Sequence, residues 1–137
     1  MDTPQPPAQP APPQPVGRKI LIVEDEHFIS ELYVRALTRA GYEVVVEVDG
    51  KRGMELALTN TFDIILLDLM IPTMTGIDVL RKLRGPGATP LRSKIVITTN
   101  LEQREETRAD IESHADAYLV KAEITPRELV EFLNTIK

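Results

Sequence analysis

The chain has 137 residues, a formal net charge of −5, two histidines and no cysteine. These counts exclude a disulfide framework and a thiolate site, and they speak against a zinc centre. No apolar run approaches the roughly 20 residues needed to cross a bilayer, no signal peptide opens the chain, and no basic stripe marks a nucleic-acid surface. Seven of the 11 prolines fall within residues 1–17, which carry a single charge, Asp2. Such a stretch cannot bury enough surface to offset chain entropy, so it reads as a disordered, polyproline-like tail. One domain then spans residues 18–137, and the cytoplasm is its expected setting.

From Arg18 onward, short apolar runs alternate with amphipathic stretches five times. The first strand covers 19–23. A helix follows, with Phe28, Ile29, Leu32, Ala36, Leu37 and Ala40 at helical spacing and Gly41 as its stop. The second strand covers 43–47, and Met54, Ala57 and Leu58 mark a second helix after Asp49-Gly50. The third strand covers 63–67; Ile77, Leu80 and Leu83 after Gly76 mark the third helix. The breaker cluster 85–90, rich in Gly and Pro, is an exposed connection without chemistry. The fourth strand covers 94–98. The fourth helix, about 102–113, is charged and poor in apolar residues, which predicts the loosest packing of the five. The fifth strand covers 117–120. Thr125, Pro126 and Glu128 then supply an N-cap, a first-turn proline and a capping-box partner for the last helix, with Leu129, Val130, Leu133 and Ile136 on one face.

Continuous β-branched and leucine runs are the mark of strands buried on both faces, and five βα units imply a doubly wound α/β sandwich with a parallel sheet. In such sheets the functional crevice lies at the carboxyl ends of the strands. Glu24-Asp25-Glu26 follow strand one, Asp68 follows strand three, Thr98 and Thr99 follow or end strand four, and Lys121 follows strand five. Converging carboxylates repel unless a cation joins them, and oxygen ligands without His or Cys favour Mg²⁺. A metal, an ammonium and a hydroxyl around a carboxylate suit phosphoryl transfer, with the carboxylate as nucleophile. Read alone, the acidic trio could simply be the first turn of helix one, where the helix dipole favours it.

Four segments together carry a resemblance: Leu21-Ile22-Val23-Glu24-Asp25-Glu26, residues 63–72 with Gly76 after them, Ile97-Thr98-Thr99, and Tyr118-Leu119-Val120-Lys121. Over residues 18–137 the chain resembles a response-regulator receiver domain of two-component, His-Asp phosphorelay signalling. The resemblance implies a (βα)5 flavodoxin-like fold with strand order 2-1-3-4-5. It implies that Asp68 accepts a phosphoryl group from a sensor histidine kinase or phosphotransfer protein. It implies Mg²⁺ held by Asp25 directly, by Glu24 through water, by Asp68, and by the backbone carbonyl of Met70. Lys121 would pair with the phosphate. Thr99 would be the switch hydroxyl, with Thr98 its competitor one residue away, and Tyr118 the aromatic that moves with it. The face built from helix four, strand five and helix five would change as a result.

Two positions depart from the family pattern. Ala122 stands where proline usually follows the lysine, and a cis bond at a non-proline costs roughly 3 kcal/mol. Met70 and Leu101, two residues beyond Asp68 and Thr99, are apolar where the family often orients water, which predicts slow self-dephosphorylation. The expected function is therefore a phosphoacceptor switch, not a turnover enzyme, acting on an unidentified downstream protein, with a homodimer among its expected assemblies. Nothing follows the fifth helix, so the chain reads as a stand-alone receiver. A receiver fragment of a larger regulator and a receiver-like scaffold that is never phosphorylated are the alternatives. A flavodoxin-like flavin binder is disfavoured by carboxylates where its phosphate loop would lie, and a haloacid-dehalogenase-type phosphatase by Met70 in place of its second Asp.

Overall fold

Strand formation follows from the β-branched and leucine runs, which find partners on both sides and on both faces. The computed structural model describes residues 18–100 and 104–136. The tail at 1–17 and the reading of Leu101 lie outside these residues. The elements run β1 (Lys19–Val23), α1 (His27–Arg39), β2 (Glu43–Glu47), α2 (Gly50–Ala57), β3 (Ile64–Asp68), α3 (Gly76–Arg84), β4 (Lys94–Thr99), α4 (Glu105–His114), β5 (Ala117–Val120), a 3-10 turn (Lys121–Glu123) and α5 (Pro126–Asn134). All strand pairings are parallel, in the order β2-β1-β3-β4-β5. This is the fold class and topology expected from the sequence.

The sheet divides two cores. Leu21, Val23, Ile65, Leu67, Ile95 and Ile97 pack against α2, α3 and α4 through Ala57, Val79, Leu80, Leu83 and Ile111. Ile20, Ile22, Ile64, Leu66 and Val96 face the other way, onto Tyr33 and Leu37 of α1 and Leu129 and Leu133 of α5. Alternation along each strand thus sends neighbouring side chains to opposite layers. The central strand β3 is buried at every position, whereas the edge strand β2 is partly open, with Glu43 and Val46 exposed. Helix α4 buries only Ile111, in keeping with its charged sequence.

Local signals set the element ends. Thr125 and Glu128 form the expected reciprocal capping box, with Pro126 in the first turn of α5. Gly41 takes a φ of 99° after α1, a left-handed conformation open to glycine at little cost. Helix α1 begins at His27 with Glu26 as its N-cap, so the acidic trio precedes the helix instead of forming its first turn. The 3-10 turn after β5 has no counterpart in the sequence reading. Among the described residues no peptide bond is cis, and no helix is long and apolar enough to cross a membrane.

The end of the sheet opposite the acidic rim is held by Arg84. Its guanidinium donates to the carbonyls of His114 (3.1 Å) and Ser93 (2.9 Å) and to Asp116 Oδ2 (2.8 Å). The same Asp116 oxygen accepts the Ile95 N–H at 2.8 Å. Burial alone would raise the Asp116 pKa, but the Ile95 N–H and the Arg84 cation outweigh it and hold the carboxyl below its ordinary value. A depressed folded pKa contributes stability that is present above the unfolded value and lost as pH falls through the folded one. Asp116→Asn should therefore cost about 1–2 kcal/mol in urea unfolding at neutral pH, with the gap from the parent closing in acid. An equal cost at every pH would sink this account.

Candidate functional site

Three strands deliver charged side chains to one end of the sheet. Glu24 follows β1 directly, Asp68 is the last residue of β3, and Lys121 follows β5. All three continue the alternation that points to the α1–α5 layer, after Ile22, Leu66 and Leu119. Apolar neighbours leave them little water: Glu24 is 2% exposed, Asp68 3% and Lys121 8%. Charges buried this deeply persist only when paired.

The pairing is dense. Lys121 Nζ donates to Asp68 Oδ2 at 3.0 Å and also to Glu24 Oε1. Glu24 Oε2 accepts the Glu26 N–H at 3.1 Å, and Asp68 Oδ1 accepts the Met70 N–H at 3.1 Å. Each oxygen of the two buried carboxylates therefore has a donor. Burial of the ammonium would lower the Lys121 pKa, but its two carboxylate neighbours prevail and raise it. Burial, reinforced by repulsion from Asp68, pushes Glu24 up to about 7 despite the hydrogen bond from Lys121.

Asp25 completes the acidic group from the solvent side. Glu24, Asp25 and Asp68 each offer a carboxylate oxygen, and these atoms lie within 4.8 Å of one another. Three carboxylates against one ammonium leave an excess of negative charge at the rim. The donor set is oxygen alone, which fits a hard divalent cation, and exposed Asp25 leaves it accessible from solvent.

The remaining candidates are placed around this centre. Met70 is 72% exposed, and its backbone N–H turns back onto Asp68. Thr98 and Thr99 are both buried. The parallel register sets Thr98 beside Asp68, and Thr99 beside Val120, the residue before Lys121. Thr98 shares the face of Asp68, while Thr99 follows Ile95 and Ile97 on the opposite face at the strand tip. Tyr118 is half-buried against the α2–α4 core, with the Arg108 guanidinium 4.6 Å above its ring. Arg108 Nε also bonds Glu112 at 2.7 Å.

Two features escaped the sequence reading. Lys121 bridges Glu24 and Asp68, although the resemblance assigned it only a phosphate. Gly76 presses against the site from α3: a Cβ there would lie 2.3 Å from the Asp68 carbonyl oxygen and 2.6 Å from Leu69 Cα. The glycine after the Thr75 cap was the available signal, and its meaning required the loop path.

Comparison with known proteins agrees with this fold. Residues 20–134 match the family model described as response regulator receiver domain. Response regulator ArlR of Staphylococcus saprophyticus is 40% identical over 119 residues, 87% of this chain and 50% of that protein. The chain thus spans about half the length of the curated relatives it matches. Among solved structures, the Francisella response regulator 1452 receiver domain superposes with a TM-score of 0.74 at 28% identity, covering 85% of this chain and 93% of that one. The BeF3-activated N-terminal receiver domain of Klebsiella pneumoniae RstA does so with a TM-score of 0.71 at 32% identity, covering 85% and 95%.

Proposed function

Since the chain belongs to the response-regulator receiver family, we propose that it is a phosphoacceptor switch in which Asp68 takes a phosphoryl group from a phosphohistidine on a sensor histidine kinase or phosphotransfer protein. The observation that carries this reading is the buried Asp68 carboxylate, held by Lys121 at 3.0 Å inside a three-carboxylate group open to solvent at Asp25. A carboxylate oxygen of Asp68 bonds to phosphorus as the P–N bond breaks, and the imidazole nitrogen keeps the electron pair. Asp25, Asp68, Glu24 and the Met70 carbonyl would hold Mg²⁺. Bound there, the ion would offset the charge of the carboxylates and of the transferring phosphoryl oxygens. Lys121 stabilises the same oxygens from the protein side.

The switch reading extends this proposal and takes Thr99 and Tyr118 from the family resemblance. Phosphorylation adds negative charge and strong acceptors at the rim. The Thr99 hydroxyl turns toward the new oxygens, Tyr118 follows, and the α4-β5-α5 face changes for a downstream protein. Apolar Met70 beside the acceptor favours a long-lived acyl phosphate; a lifetime of seconds in the isolated protein would count against that. Beyond its own phosphorylation and slow dephosphorylation, the domain turns over no substrate. Activation of the Klebsiella relative by BeF3, stated for that protein, supports reading the rim as a phosphoryl site.

Incubation with acetyl phosphate and Mg²⁺, read by intact mass, tests the proposal. The parent should gain one phosphoryl group, and Asp68→Asn or chelation of the metal should abolish the gain. Thr99→Ala should keep the gain but lose the spectral change at Tyr118, whereas Thr98→Ala keeps both. Undiminished phosphorylation of Asp68→Asn would overturn the assignment and favour the unphosphorylated scaffold.

A further inference from the structure

Beside the charged rim, the loop between β3 and α3 meets the N-terminus of α2, and the two are tied residue by residue. The first N–H groups of a helix find no carbonyl within it. The three that open α2 each have a partner: Gly50 donates to the Pro72 carbonyl at 3.0 Å, Lys51 to Thr73 Oγ1 at 3.2 Å, and Arg52 to Asp49 Oδ2 at 2.9 Å. Two of these partners belong to the loop. There is no slack between the parts, since a Cβ on Gly50 would lie 2.1 Å from the Met74 carbonyl oxygen. A hydroxyl can accept from Lys51 and donate to Asp49 at once. The Thr73 hydroxyl is accordingly the main influence holding the Asp49 carboxyl below its ordinary value, followed by the Arg52 N–H.

Thr73 makes this contact at a conformational cost. Its φ is 68°, in the left-handed region that a β-branched side chain disfavours. Glycine or asparagine would take that backbone more easily; what threonine adds is the hydroxyl between Lys51 and Asp49. Strained backbone of this kind persists where surrounding contacts over-determine it, and here those contacts come from α2. The same loop carries Met70, three residues earlier, whose N–H donates to Asp68 Oδ1 at 3.1 Å. We infer that Thr73 is a positioning residue for the phosphoacceptor: by pinning the loop to α2 it fixes where the Met70 peptide meets Asp68, and with it the carbonyl offered to a divalent cation. This role rests on the phosphoacceptor reading for its purpose and on the loop geometry for its mechanism. Gly76 presses the far end of the loop onto Asp68 and Leu69, and Thr73 holds its middle.

Variants of the full chain test the role at temperatures well below unfolding. Thr73→Val keeps the shape and the backbone cost but loses the hydroxyl. Thr73→Gly loses the hydroxyl and relieves the backbone, so it remains folded even where the valine variant does not. Thr73→Ser keeps the hydroxyl. Amide hydrogen exchange at Met70 in metal-free protein reads the loop, and calorimetry with Mg²⁺ alone reads the ion site. The valine and glycine variants should each speed Met70 exchange and weaken Mg²⁺ binding by about threefold to tenfold, while the serine variant stays within about twofold of the parent. A role confined to capping α2 would lower the urea midpoint of the valine variant and leave Met70 exchange and Mg²⁺ affinity at parental values. That result overturns the inference, as does a serine variant that behaves like the valine one. If the parent binds no Mg²⁺ and gains no phosphoryl group, the phosphoacceptor reading falls, and Met70 exchange alone decides whether Thr73 positions the loop.

Discussion

Replacing Lys121 with methionine is expected to destabilise the protein by about 3–5 kcal/mol at neutral pH. Glu24 and Asp68 lie beside each other at 2% and 3% exposure, with the Lys121 ammonium donating to both. Methionine fills much of the same volume but leaves two buried carboxylates facing each other. The loss depends on pH in a defined sense. Burial already pushes Glu24 up to about 7, and removing the ammonium pushes it higher. Protonation of Glu24 relieves the repulsion, so the loss is greatest in mild alkali and shrinks as pH falls toward about 5. For the parent, the raised Lys121 pKa contributes stability that is fully present below the unfolded value near 10.5 and disappears as pH rises through the folded one. Urea unfolding at several pH values measures both effects. Adding Asp68→Asn to Lys121→Met should recover part of the loss, because it removes one of the opposed charges. A methionine variant within about 1 kcal/mol of the parent at pH 8 would show that the ammonium is not what holds the carboxylates together.

Gly76→Ala should be nearly as damaging, for a steric reason. An added Cβ would meet the Asp68 carbonyl oxygen at 2.3 Å and Leu69 Cα at 2.6 Å, both backbone atoms where β3 ends and its loop begins. The Gly76 N–H also donates to the Leu69 carbonyl at 3.0 Å, so the helix start and the end of β3 cannot part without breaking that bond. Relieving the clash must move α3 or the Asp68 peptide, at an expected cost of about 3 kcal/mol. A smaller distortion that leaves the protein folded should still weaken divalent-cation binding, read by calorimetry. Gly87→Ala is the control. Its φ of 82° disfavours a side chain, but nothing lies within 4 Å, so about 1 kcal/mol is expected with cation binding unchanged. If the two alanine variants behaved alike, close packing at Gly76 would not be what positions the loop.

Much of the fold was legible because the central strands are almost purely apolar. A run such as 64–67 can only be satisfied in the middle of a sheet, and the residues that interrupt five such runs then fall at strand ends. That logic located Glu24, Asp25, Asp68 and Lys121 without coordinates, and the structure brings all four side chains together. It could not show that Lys121 reaches both Glu24 and Asp68, since that depends on the spacing between β1, β3 and β5. It placed β3 one residue early at both ends, at 63–67 where the structure has Ile64–Asp68. The acidic trio was ambiguous because a helix start and a metal site both favour carboxylates; Glu26 at the N-cap shows that the trio belongs to the loop. Strand alternation separates Thr98 from Thr99 by face, a distinction that required the register.

The hydrogen bonds at the rim join residues 97 and 53 positions apart in sequence. No fragment lacking β1, β3 or β5 can assemble this group of charges, and contacts of such long range come late in folding. With Asp68 as the proposed acceptor, a nascent or half-collapsed chain would be chemically silent toward a phosphodonor. Competence to receive a signal would certify that β1 and β3 to β5 have come together, a built-in safeguard against relaying messages from immature copies.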